Sequence, residues 1–181
     1  YRDLVFDRRF NFFHVDNDNE DGSKFMGCRL LHVVEGGDYG WRLRDGEICC
    51  KPDEQRAAVN GELPGKLGFM LKTGRGSPAG LLILEGQTIP PSYQGIALYP
   101  DVYRKVIRGY VFSPRGSTFE VTEEFEFMKS NDPLFRPCQC VLGPDGAIYV
   151  TDWHDARTAH PDPDADWDRS NGRIYRIAPT V

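Results

Sequence analysis

Carboxylates and imidazoles crowd one stretch of the chain, from Trp153-His154-Asp155 to Asp168. Asp162, Asp164, Asp166 and Asp168 alternate there, and such a loop can hold a hard cation, because calcium takes several oxygen ligands at once. The spacing lacks the glycine turn and terminal glutamate of an EF-hand, so a solvated acidic loop satisfies the pattern equally. His154 stands beside a strand end near this loop and is a candidate general base. Asp101 and Asp152 each close an apolar run, where a carboxylate either lines a central face or caps the following turn. A second acidic run, 16–22, invites the same calcium reading. On the EF-hand template it puts Cys28 where the last glutamate belongs, which favours an ordinary loop.

The elements that must position these groups are strands. Pro144-Asp145-Gly146 reads as a tight turn: Pro presets φ, Asp bonds its own backbone and Gly takes positive φ. The β-branched and aromatic run Ile148-Tyr149-Val150-Thr151 then predicts a strand ending at Asp152, with 173–177 as its partner. Further strands are expected over 10–15, 28–34, 77–84, 95–101, 105–112 and 117–128. In the last of these Phe125 and Phe127 share one face and Glu124 and Glu126 the other. His32, inside the second strand, reads as a hydrogen-bonded core residue. The pattern weakens from 42 to 75, where the one helix, over 51–59, has Pro52 near its first turn, acids at its start and Asn60-Gly61 as its stop.

Three segments align, 13–16, 98–101 and 149–152, each a strand closing on Asp. Their aspartates lie 85 and 51 positions apart, close to two repeats and one repeat of the roughly 40 to 50 residues of a four-stranded propeller blade. The expected fold class is therefore all-β, a β-propeller sector with one short surface helix.

Composition agrees. Of 181 residues 40% are apolar, enough for a sizeable core, and 19 Gly with 13 Pro suit short strands and tight turns. A formal charge of −5 leaves no basic footprint for nucleic acid. No apolar run approaches the roughly 18 residues of a membrane span. The chain opens on Tyr1-Arg2-Asp3 without an initiator Met, as expected of a stretch from within a longer protein, which leaves open whether an export signal precedes it. Five Cys (28, 49, 50, 138, 140) have no metal-finger spacing and read as buried free thiols, with oxidation of Cys49-Cys50 as the alternative in an exported protein.

The ordered set D-N-D-N-E, G-C-R-L-L-H-V-V-E-G-G-D-Y-G-W, S-P-A-G-L-L-I-L-E-G, D-P-L-F-R-P-C-Q-C-V-L-G-P-D-G-A-I-Y-V-T-D-W and G-R-I-Y-R-I resembles the soluble glucose/sorbosone dehydrogenase family. It is most similar to the branch of membrane-bound dehydrogenase domains often fused to a haem-binding cytochrome c domain. The resemblance implies a six-bladed β-propeller, with residues 1–181 as about three to four blades of its C-terminal half. It implies oxidation of a sugar or small alcohol by pyrroloquinoline quinone (PQQ) assisted by calcium, in the periplasm or cell envelope, with electrons passing to a cytochrome c whose haem lies outside this chain. The family's catalytic His belongs before Tyr1. Arg136 matches the first of two arginines placed on the cofactor carboxylates, a role that suits a guanidinium fork. The second arginine position is Cys138, and the expected cofactor lysine aligns with Val102, with Arg104 or Lys105 as substitutes. Asp101, Arg104 and Arg136 are thus the cofactor candidates. The alternatives are a propeller that has lost its cofactor and binds carbohydrate or protein, and a calcium-dependent lactonase of similar shape.

Overall fold

Pro144-Asp145-Gly146 makes the turn its residues require: Gly146 takes φ +76°, its N–H meets the Gly143 carbonyl at 2.9 Å, and Asp145 Oδ1 accepts the N–H of Ala147. The computed structural model describes residues 4–16, 28–39, 67–74, 76–156 and 168–179. The helix expected over 51–59, Cys49, Cys50 and residues 17–22 of the first acidic run lie outside them.

The described residues form three antiparallel sheets. The first, in the order β1-β2-β3-β4, consists of β1 (Leu4–Phe6), β2 (Phe12–Asp16), β3 (Cys28–Val33) and β4 (Leu71–Gly74). The second is β5 (Leu82–Ile83), β6 (Ala97–Asp101), β7 (Val106–Arg115) and β8 (Thr118–Lys129), in that order. The third joins β9 (Pro137–Leu142) to β10 (Ile148–Asp152) and β10 to β11 (Arg173–Ile177). A 3-10 turn, Pro91–Tyr93, interrupts the β5–β6 connection.

Alternation along the strands explains why the sheets stack. Ala97 and Tyr99 of β6 point one way, into a cluster with Phe13, Val15 and Leu30 of the first sheet. Leu98 points the other way, into a cluster with Cys140, Ile148 and Val150 of the third. β6 is buried on both faces, so it reads as the near-continuous apolar run expected of a covered strand. Each such aliphatic side chain contributes about 1.5–3 kcal/mol of burial free energy. β1 touches β5 and β5 touches β9, so the leading strand of each sheet lies innermost and the chain works outward from it. Three wedges around a shared axis are a β-propeller sector, as expected.

Several boundaries differ from the sequence reading. β1 and β4 carry too few alternating residues to stand out. The strand expected over 77–84 shrinks to Leu82–Ile83 with an isolated bridge from Pro78 to Asp101. Pro78 has no N–H to give, yet Ala79 still bonds to β6 at Pro100, and Leu84 to Ile96 just before it. Phe10 leaves its predicted strand for a turn at φ +63°, where Asp7 Oδ1 accepts the N–H groups of Arg9 and Asn11. Phe125 and Phe127 do pack together against the second cluster. Gly109 of β7 lies opposite Phe125, whose ring occupies the space a Cβ would need.

Candidate functional site

Asp16, Asp101 and Asp152 end the second strand of their respective sheets, and all three are buried. The rotation relating one wedge to the next therefore sets them on one rim. Each carboxylate accepts main-chain N–H groups. Asp16 Oδ1 takes that of Arg29 at 3.0 Å, while its Oδ2 pairs with the buried Arg29 guanidinium, which also donates to the Tyr39 carbonyl. Asp101 Oδ1 takes those of Ser77 (3.1 Å) and Arg104 (2.9 Å). Asp152 Oδ1 takes those of Arg136 (2.6 Å) and His154 (2.8 Å), and the Tyr175 hydroxyl donates to its Oδ2 at 3.3 Å. Of the two roles left open by sequence, the turn-capping one accounts for these bonds.

Around Asp101 the cations differ in availability. Burial pushes its carboxyl above the usual range, partly offset by the N–H groups of Arg104 and Ser77. The Arg104 side chain is 35% exposed, with Nε 3.8 Å from Asp101 Oδ2. Lys105, at φ +61°, donates to the Pro133 carbonyl at 2.6 Å. Val102 is buried.

Arg136 enters the third sheet just before β9 and is only 4% exposed. Its guanidinium donates to the carbonyls of Pro133 (3.1 Å), Phe135 (2.8 Å) and Ala156 (2.9 Å), leaving Nε buried without a partner among the described residues. Burial lowers its pKa, while Asp155 and Asp152 oppose that shift. Cys138 Sγ lies 3.3 Å from the Arg136 carbonyl.

His154 takes φ +55°, a region costly for a residue with a side chain. Its Nε2 is 3.1 Å from Asp132 Oδ2, which also receives Arg173 at 2.6 Å, while Asp132 Oδ1 accepts the N–H of Leu134. The Leu134 N–H first, then His154 and Arg173, hold the Asp132 carboxyl below the usual range. Nδ1 of His154 is buried with no partner among the described residues. The ring thus braces the loops before β9 and after β10. Asp132, which the sequence reading left unassigned, is the hub; its N-D-P context was the available signal.

Of the acidic loop, Asp162, Asp164 and Asp166 lie outside the described residues. Asp168 Oδ1 accepts the N–H and hydroxyl of Ser170, which with Asn171 lower its pKa, and its own N–H donates to buried Asp155. No group of three His, Cys, Asp or Glu among the described residues is placed to hold a metal ion.

The family model described as "Domain of unknown function (DUF7133)" matches residues 69–180. The chain belongs to the DUF7133 family. That match takes in Asp101, Arg104, Arg136, Asp152, His154 and Asp168. No curated protein matches this DUF7133 chain. Among solved structures it is similar to an oxidoreductase (glucose dehydrogenase) from Thermus thermophilus, with TM-score 0.62 and 16% identity over 96% of this chain and 44% of that one. It is also similar to the soluble aldose sugar dehydrogenase of Escherichia coli in its apo form, with TM-score 0.61 and 14% identity over 99% and 44%. A third is the PQQ-bound aldose sugar dehydrogenase of Streptomyces coelicolor, with TM-score 0.60 and 14% identity over 98% and 42%. At this identity the likeness shows the fold, and the chain spans less than half the length of these proteins.

Proposed function

We propose that this DUF7133 chain is part of a PQQ-dependent sugar or alcohol dehydrogenase propeller. The carrying observation is the fold shared over nearly the whole chain with a PQQ-bound aldose sugar dehydrogenase. The donor set fits a carboxylate-bearing cofactor at one position: Arg104 keeps an exposed guanidinium on the rim beside Asp101. Arg136 does not fit as placed, because its terminal nitrogens are engaged by carbonyls.

The chemistry PQQ supplies when bound is two-electron oxidation of the alcohol. This chain's contribution is orientation. Asp101 fixes the main chain of Arg104 by accepting its N–H, so the guanidinium is presented from a rigid strand end. Asp152, Asp132 and Arg136 lock the neighbouring loops, which keeps the rim from rearranging around a ligand. The base that takes the substrate proton, the cytochrome c acceptor and the cell-envelope location belong to this reading as expectations for the longer polypeptide.

The test uses the full-length polypeptide with PQQ and calcium, following dye reduction over a panel of aldoses. Quinone uptake with aldose-dependent reduction is expected, and R104A is expected to weaken uptake about tenfold, the scale of one charge-assisted contact. Neither uptake nor reduction in the wild type would overturn the reading. The second reading, a cofactor-free binding platform, draws on the engaged Arg136 fork and on Cys138 and Val102 at the other two cofactor positions. It predicts carbohydrate or protein binding without quinone uptake.

A further inference from the structure

Just before β11 the chain reads Asp168-Arg169-Ser170-Asn171-Gly172, and every residue of this stretch is exposed. Asn171 and Gly172 stand outside any strand, since β11 begins at Arg173. An asparagine followed by glycine is the pair in which the next main-chain nitrogen reaches the side-chain carbonyl carbon most easily. Glycine has no Cβ to obstruct the approach, and its backbone is the least restricted. Gly172 keeps that freedom in the folded chain: apart from its chain neighbours, an added Cβ would meet only the Asp152 carbonyl, at 3.7 Å. The fold then adds a carboxylate. Asp168 Oδ1 accepts the N–H and the hydroxyl of Ser170 at 2.9 and 2.5 Å, and its Oδ2 accepts Asn171 Nδ2. The Ser170 groups first, then Asn171, hold the Asp168 carboxyl below the usual range, so it is anionic at neutral pH. The nitrogen of the Asn171 amide is thus already in contact with a negative charge.

We propose that Asn171 is a site of covalent self-modification, its side-chain amide lost through attack by the Gly172 main-chain nitrogen, with Asp168 assisting the departure. The Gly172 nitrogen gives its proton to solvent and bonds to Asn171 Cγ. The Cγ–Nδ2 bond breaks with its electron pair going to nitrogen, which takes a proton from water and leaves as ammonia, and a cyclic imide closes. Water then adds to either ring carbonyl and opens the ring to aspartate or to isoaspartate, whose main chain runs through the former side chain. Water is the co-reactant, and nothing is oxidised or reduced. Asp168 Oδ2 faces the nitrogen as positive charge develops on it, so their attraction grows along the path to products. Either product puts a carboxylate where Asn171 gave Asp168 a donor. Like charges then face each other at the entry to β11, where Arg173 pairs with Asp152. Quinone binding plays no part in this chemistry.

Peptide mapping by mass spectrometry tests it, following residue 171 in the full-length polypeptide held folded at neutral pH and, in parallel, unfolded in guanidinium chloride. The folded wild type is expected to convert Asn171 at no less than the unfolded rate. D168N keeps an acceptor but not the charge. It is expected to slow the folded reaction about tenfold, roughly 1.4 kcal/mol of barrier, and to leave the unfolded one unchanged. G172A is expected to slow both, because a Cβ obstructs the attack in either state. Asn171 still intact in the folded chain by the time the unfolded chain has converted would overturn the proposal. So would folded D168N converting as fast as wild type or faster, or G172A converting at the wild-type rate.

Discussion

Asp152 and Arg136 meet through the main chain rather than through their charges: Oδ1 of Asp152 accepts the Arg136 N–H at 2.6 Å, while the Arg136 guanidinium turns to carbonyls. The same oxygen holds the His154 N–H, so one atom ties the entry of β9 to the exit of β10. D152A leaves both buried N–H groups without their acceptor, at roughly 1–3 kcal/mol each. A loss of about 2–4 kcal/mol is expected in urea denaturation, with D152N costing less because an amide oxygen still accepts. A D152A chain as stable as wild type would show that these bonds do not hold the loops.

Asp101 gives the pH dependence its sign. Burial raises its folded pKa, outweighing the N–H groups of Arg104 and Ser77. Its contribution to stability is therefore full below the ordinary aspartate value of about 3.9 and is lost as pH rises through the raised folded value. D101N cannot ionise but keeps an acceptor for both N–H groups. The stability of D101N relative to wild type should climb as pH rises from about 4 through the raised folded value. A flat or falling difference would contradict the assignment.

Tyr99 and Tyr110 meet edge to face in the first cluster, 5.7 Å apart, and burial raises both phenols above the ordinary range. The stability they contribute is complete below the ordinary tyrosine pKa of about 10 and disappears above it as pH climbs toward the folded values. In an alkaline absorbance titration both should stay silent until the chain unfolds. Y99F and Y110F should then each remove one chromophore from the unfolding step and none from the reversible one.

Gly76 lies against Asp101, where an added Cβ would collide with Oδ2. G76A must displace a carboxylate held by two N–H groups, and a loss of about 1–3 kcal/mol is expected, the range for overpacking. The double variant G76A/D101A should lose less than the two single changes added together, a coupling that denaturation of all four chains measures.

Strands with clean alternation or near-continuous apolar character were legible: β2, β3, β6, β7, β8, β10 and β11 fall where Val, Ile, Leu and aromatic residues said they would. The three strand-closing aspartates were legible too, because an acid ending an apolar run has few other uses. β1 and β4 were not, since three or four residues carry no measurable period, while the strand that Arg136 was expected to enter is β9. The partners of Arg136 escaped the sequence for a different reason. Main-chain carbonyls have no residue type, so a guanidinium aimed at three of them looks the same in sequence as one aimed at a ligand.

The two apolar clusters share no residue. One holds the first sheet to the second and the other the second to the third. Any strain applied at Phe13 can reach Val150 only by flexing the sheet that carries Tyr99 and Leu98 on opposite sides. Disruption of one cluster should therefore leave the other standing, with β6 an element the two have in common.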